Sequence, residues 1–196
     1  MDASFALLLQ VGLAALNFSF LAAGVAPALV GLLLLRGGTT RKSVDPDPAS
    51  IRQARQNMEG RAVSEEIIFH EATLEDAALE GPYDLVPVYE VVHDLAYPVK
   101  ALKKMRELTV RGGTVLIVDE AVGESLEQNR NFMGHLFYNF RLLHCLSQSM
   151  TVPNSAATGT VMAPSTLRRH AKNAGFDDVH VLPVEQPMFR LYRLTP

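Results

Sequence analysis

The alternation of apolar and polar positions is clearest across residues 81–122, GPYDLVPVYEVVHDLAYPVKALKKMRELTVRGGTVLIVDEAV. Two apolar, β-branched runs, YDLVPVYEVV and GTVLIVDEAV, have the pattern of buried parallel strands. Between them Val99, Leu102, Met105 and Leu108 recur at steps of three, with Lys and Arg on the opposite face, which predicts an amphipathic helix over 98–108. Gly112 and Gly113 are expected to stop this helix and make the turn, because glycine accepts left-handed conformations. A strand, a crossover helix and a second strand of this length form a right-handed βαβ unit, the repeat of an open α/β sheet. Such sheets bind ligands beyond the carboxyl ends of their strands. Here those ends carry Tyr89, Glu90, His93, Asp94, Asp119 and Glu120.

The flanking stretches continue the alternation. VDPDPASIRQARQN reads as a strand end feeding a helix, with Asp47 or Ser50 as the cap and the prolines at the helix start. A short strand is expected over Ile67 to Glu71, then an acidic turn around Glu75 and Asp76. Residues 131–147, NFMGHLFYNFRLLHCLS, place Phe132, Leu136, Phe137, Phe140 and His144 near one side of a helix, a stripe that reads first as packing. PSTLRRHAKNAG predicts a helix capped by Ser165 and stopped by Gly175. FDDVHVLPVE and MFRLYRLTP then alternate as a closing antiparallel pair.

Composition narrows the function classes. With 196 residues, 48% of them apolar and 20% charged, the chain can bury a core of its own. A net charge of −3 and scattered Lys and Arg give no electrostatic footprint for nucleic acid, so none is expected as a partner. The single cysteine, Cys145, rules out an internal disulfide and suits a reducing compartment, so a cytoplasmic location is expected. No metal site is expected, because the six histidines lie far apart and none has ligand spacing to a second. His144 and Cys145 do not make a nucleophile pair, since neighbours on a helix project about 100° apart.

The first third is different. Ala3 to Leu35 carries no charge, which is longer than the roughly 20 residues that span a bilayer. Arg36, Arg41 and Lys42 follow and Asp2 precedes, so an inserted helix would leave the remainder in the cytoplasm. The other reading is a buried strand and helix broken at Gly24 or Pro27. Just beyond, Asp45 closes a strand, where a carboxylate can accept both hydroxyls of a ribose.

The ordered series VDPDPASIRQARQN, FHEATLEDAALEGPYDLV, YEVVHDLAYPVKALKKMRELTVRGGTVLIVDE, LHCLSQSM and SAATGTVMAPSTLRRHAKNAGFDDVHVLP resembles the class I S-adenosylmethionine-dependent methyltransferases, in particular bacterial enzymes acting on small molecules. The resemblance covers about 44–196. It implies a Rossmann-like α/β fold with a seven-stranded sheet, S-adenosyl-L-methionine as cofactor and a small-molecule methyl acceptor. Residue by residue, it implies that Asp45 holds the ribose, that Thr73 and Leu74 contact the adenine, and that Glu90, Val91 and His93 face the methionine part and the substrate. Thr73 stands where the family has an aspartate.

The family's glycine-rich first turn is missing: LAAGVAPAL stands where it belongs, with one glycine and a proline. Two segments are therefore expected, an atypical apolar stretch over 1–43 and a methyltransferase-like α/β domain over 44–196. The first would have an atypical or replaced strand-turn-helix, or would come from a shifted reading frame or a truncated gene joined to an intact remainder, and cofactor binding would be impaired. His93, beside Asp94 and one turn after Glu90, is the expected general base. Three classes stand at this point: a small-molecule methyltransferase, an inactive relic or regulatory domain of that fold, and a membrane-anchored protein with a cytoplasmic α/β domain.

Overall fold

A computed structural model describes residues 32–35, 41–60 and 64–196. Residues 3–31, with most of the charge-free stretch and the place where the glycine-rich turn belongs, lie outside the described residues. Among the described residues no helix is long and apolar enough to cross a membrane.

Among the described residues seven strands form one sheet: β1 (Leu32–Leu35), β2 (Arg41–Asp45), β3 (Ile67–Glu71), β4 (Tyr83–Tyr89), β5 (Thr109–Glu120), β6 (Asp178–Val181) and β7 (Phe189–Thr195), in the order β3-β2-β1-β4-β5-β7-β6. The helices are α1 (Pro48–Met58), α2 (Pro98–Glu107), α3 (Phe132–Phe140), α4 (Leu146–Ser149) and α5 (Pro164–Asn173).

The expected βαβ unit is present: β4 and β5 pair in parallel, with Val86 opposite Val115 and Val88 opposite Ile117, and α2 connects them. All four of those residues are buried, and Ala101, Leu102 and Met105 of α2 pack on them together with Leu167 and Ala171 of α5. Burying an aliphatic side chain completely contributes about 1.5–3 kcal/mol, so this face of the sheet holds most of the stabilising apolar surface. The opposite face carries a smaller cluster, Leu116, Val118, Phe189 and Leu191, closed by Leu182, Val184 and Met188.

Two turns differ from the sequence expectation. The helix ends at Leu108 as expected, but Gly112 and Gly113 are not its stop, because Thr109 already pairs with Tyr83. The register then jumps, so that Leu85 faces Thr114. Gly112, at φ +84°, and Gly113, where a Cβ would lie 2.9 Å from the Asp84 carbonyl oxygen, form this bulge. At α5 the cap is not Ser165. Pro164 takes the first helical position, and the Glu124 carboxylate accepts from the Ser165 N–H at 3.1 and 3.2 Å. Gly175, at φ +90°, follows the end of the helix as expected.

Asp47 is the cap of α1, accepting from the Ala49 and Ser50 N–H groups, and β3 runs over Ile67–Glu71 as expected. β6 and β7 form the closing antiparallel pair, with β7 inserted beside β5.

β1 lies between β2 and β4 and runs antiparallel to both. Only residues 36–40 join it to β2, too few for the crossover of about a dozen residues that parallel neighbours require. Its first residue, Leu32, faces Val44 and Val88, so the chain enters β1 from the rim where β2 and β4 end.

Candidate active site

The carboxyl ends of β2, β3, β4 and β5 form one rim, and it gathers the expected residues in two groups on either side of β1. In the first group, Asp45 ends β2 and is 7% exposed. Its Oδ1 accepts the Asp47 N–H at 2.8 Å, and its carbonyl accepts the Ala72 N–H from beyond β3. Burial raises the Asp45 carboxyl above its ordinary value. Thr73 and Leu74 follow β3. Leu74 packs against the core, whereas the Thr73 hydroxyl is taken up locally, donating to Asp76 Oδ2 at 2.8 Å. The hydroxyl suggested by the sequence as an adenine contact is thus committed to its own turn.

The second group is a buried cluster of ionisable side chains. Glu90 follows β4 at φ +54°, a left-handed conformation that costs a non-glycine residue about 1 kcal/mol or more and concentrates at functional sites. Its N–H donates to the Val118 carbonyl at 2.9 Å, tying it to β5, and Val91 beside it packs against the core. His93 Nδ1 lies 2.6 Å from Asp119 Oδ1 and 3.1 Å from Glu120 Oε2, and His93 Nε2 lies 3.3 Å from Asp94 Oδ1. Glu90, His93, Asp119 and Glu120 are all buried. Charged side chains are almost never so buried unless paired. Glu90 Oε1 and Asp119 Oδ2 meet no hydrogen-bond partner.

The electrostatics of this cluster follow from its crowding. Burial pulls the His93 imidazolium down, but the Asp119 and Glu120 carboxylates outweigh it and set the pKa well above the ordinary histidine value. Burial pushes Asp119 up, but His93 outweighs it, and the carboxyl sits below its usual range. Burial, and then the Asp119 carboxylate, push Glu120 up to about 8. Burial, Glu120 and Asp119 likewise hold Glu90 well above the carboxylate range. These directions favour a His93–Asp119 ion pair beside a protonated Glu120 at neutral pH.

Two further segments close on His93. Its carbonyl accepts the Gly159 N–H at 2.9 Å, from a loop in which Asn154, Ala157 and Gly159 all have positive φ. The helix after β5 is broken by a π-type turn, Arg141–Cys145, and the sulfur of the buried Cys145 lies within 4.8 Å of a His93 ring nitrogen. The aromatic stripe of α3 divides: Phe137 is buried, but Phe132 is 80% exposed. Sequence reasoning placed Asp119 and Glu120 at a strand end without giving them a role. The usable signal was two carboxylates inside an otherwise continuous apolar run. Cys145 carried no such signal, because its neighbour in space, His93, is remote in sequence.

A mixed sheet with this strand order, one reversed hairpin at β6–β7 and its ionisable side chains on the carboxyl rim defines a Rossmann-like α/β protein of the kind that binds nucleosides at strand ends. The comparisons name the group. Residues 21–117 match the family described as "Methyltransferase domain". Similar solved structures include an O-methyltransferase family protein from Burkholderia thailandensis (16% identity, TM-score 0.56, covering 76% of this chain and 41% of that one). Human N-acetylserotonin methyltransferase in complex with SAM is also similar (18% identity, TM-score 0.52, 76% and 38%), as is mitomycin 7-O-methyltransferase (14% identity, TM-score 0.57, 78% and 40%). The family match, over just under half of the chain, and these structures support a class I S-adenosylmethionine-dependent methyltransferase. It spans about two fifths of the length of these three structures. No curated protein matches it in sequence.

Proposed function

We propose that the chain is the cofactor-binding and catalytic part of an S-adenosylmethionine-dependent methyltransferase acting on a small molecule in the cytoplasm. The observation that carries the reading is the convergence of buried Asp45, Glu90, His93, Asp119 and Glu120 on one rim of this sheet. The residues suit the cofactor. Asp45, desolvated at the end of β2, is an acceptor for ribose hydroxyls, and Glu90 Oε1, buried without a donor, suits the ammonium of the methionine part. Leu74 and Val91 offer apolar sides, and Thr73 serves through its backbone. S-adenosylmethionine supplies a methyl group on a sulfonium that is already a good donor.

What is left to the chain is to orient the acceptor, exclude water and take its proton. Asp119 engages Nδ1 of His93, which leaves Nε2 as the atom that receives a proton from an acceptor hydroxyl or amine and passes it to solvent. Because the carboxylates favour the imidazolium, the base form is populated on the alkaline side.

Calorimetric titration of the full chain with S-adenosylmethionine and S-adenosylhomocysteine tests this. Micromolar binding is expected, weakened about tenfold or more by Asp45→Ala, since a hydrogen bond to a charged group is worth about 1.5–3 kcal/mol. No binding at millimolar ligand ends the reading. That result would favour a second one, an inactive relic or regulatory domain, which is motivated by the five-residue β1–β2 connection where a crossover helix would stand.

A further inference from the structure

We propose that His93, Asp94 and Cys145 form a binding site for a soft divalent cation of the zinc class. The donor atoms of these three side chains all lie within 4.8 Å of one another. They bring one imidazole nitrogen, one sulfur and one carboxylate oxygen, a donor set suited to zinc, and three protein ligands leave a fourth position open. Zinc–ligand bonds of about 2.0–2.3 Å require the donors to draw together around the ion. The thiolate discriminates against magnesium and calcium, which prefer all-oxygen sites.

Three observations distinguish this cluster from a chance grouping. First, His93 Nδ1 is held at 2.6 Å by Asp119 Oδ1, which fixes the ring and its tautomer and turns Nε2 toward Asp94 at 3.3 Å. A carboxylate behind an imidazole in this way is the usual support of a metal-bound histidine. Second, Asp94 Oδ1 is out of contact with solvent and has no hydrogen-bond partner, although the Asp94 side chain as a whole is 36% exposed. The oxygen faces His93 Nε2, so an ion that replaces the Nε2 proton meets both donors, and the exposed side of the residue gives it an entry path. Third, the π-type turn Arg141–Cys145 interrupts a helix at the residue that supplies the sulfur. Such turns recur at functional sites. The alternative set, His93 with Asp119 and Glu120, would have to use Nδ1, which Asp119 already occupies.

Charge and protons balance. The Asp94 carboxylate and the Cys145 thiolate together carry two negative charges, matching a divalent ion on a neutral imidazole. Binding displaces the thiol proton and any proton on Nε2, and both go to solvent. The bound ion also takes the lone pair of Nε2 that would accept a proton in methyl transfer. Where the reading above holds, added zinc lowers turnover and a chelator restores it.

The test uses the full chain freed of metal by dialysis against a chelator. Zinc is titrated against a chromophoric chelator, and cobalt(II) is added separately while the thiolate-to-cobalt charge-transfer absorption is followed. One equivalent of each metal is expected, with the charge-transfer band present. Cys145→Ser should abolish the band, and Asp94→Asn should weaken zinc binding by about tenfold or more. Failure of the unsubstituted chain to bind zinc, or cobalt binding without the band, overturns the proposal with no variant needed. A band that survives Cys145→Ser overturns it as well. These readouts do not depend on S-adenosylmethionine, so they stand or fall separately from the methyltransferase reading.

Discussion

The substitution Glu120→Gln isolates the electrostatic state of the buried cluster. Glu120 is 6% exposed at the end of β5, its carboxyl is pushed up to about 8 by burial and by Asp119, and the ordinary value is 4.5. Between those two pH values the folded chain holds a proton that the unfolded chain gives up. Stability from this group is complete below 4.5, falls as pH rises, and reaches its floor above 8. At 1.36 kcal/mol per pKa unit, the span from pH 5 to pH 7 costs the unsubstituted protein about 2–3 kcal/mol from Glu120 alone. Glutamine is the neutral isostere of the protonated acid and has no such titration.

The His93–Asp119 pair is kept in the variant, with Asp119 still the larger of the two carboxylate influences on His93. His93, raised, contributes stability that is lost as pH climbs from its ordinary value through the folded one, and Asp119, lowered, contributes stability lost only in acid. Urea denaturation at pH 5, 6, 7 and 8, with the slope m compared at each, is the assay. The expected result is that Glu120→Gln is close to the unsubstituted protein at pH 5 and more stable by about 2–3 kcal/mol at pH 7. Parallel curves, with a difference that does not change with pH, would show that Glu120 is ionised in the folded state and would refute the charge assignment of the whole cluster.

The remaining predictions concern catalysis and packing. His93→Ala should lower formation of S-adenosylhomocysteine by about tenfold or more with S-adenosylmethionine binding unchanged; equal turnover removes His93 from the mechanism. The rate of the unsubstituted chain should rise with pH through a value above the ordinary histidine pKa, because the base is the neutral imidazole and the carboxylates favour its protonated form. A profile levelling off below that value contradicts the ion pair. Gly134→Ala drives a methyl into the Asn129 carbonyl oxygen at the start of α3, a backbone contact that cannot relax cheaply. Thermal and urea unfolding should show a loss of about 2 kcal/mol or more.

The legible parts of the fold were those in which a local pattern and the tertiary structure demand the same thing. β4, α2 and β5 followed from two apolar runs around a three-residue repeat, and the buried faces are the ones the repeat marks. The helix end was read at Leu108, where it falls, but the glycines were taken as its stop, because two glycines are as useful to a bulge in a strand as to a helix stop, and composition does not separate the two. The α5 cap was assigned to Ser165 because a side-chain oxygen near a helix start is the local solution. The actual one, Glu124, comes from a residue far along the chain, and no window reveals it. The direction of β1 was equally hidden. Its four leucines specify a strand but carry no preference between parallel and antiparallel neighbours, and the shortness of the 36–40 connection decides it.

The site divides along the same line. The rim positions of Asp45, Glu90 and His93 were legible because strand ends are legible. Which of them interact was not, since that depends on β4 and β5 ending level, with Tyr89 opposite Val118, so that the residues beyond meet across the rim. That register has a chemical consequence. It sets one imidazole against two carboxylates in a buried place, so that the groups cannot all ionise and protons are retained near neutral pH. A cluster in this state can lose the surplus proton to a base form of His93, or exchange it for a cation at Nε2, and the two events compete for the same lone pair. Whatever this chain does at its rim, the order in which proton and cation leave and enter at His93 is what should govern it.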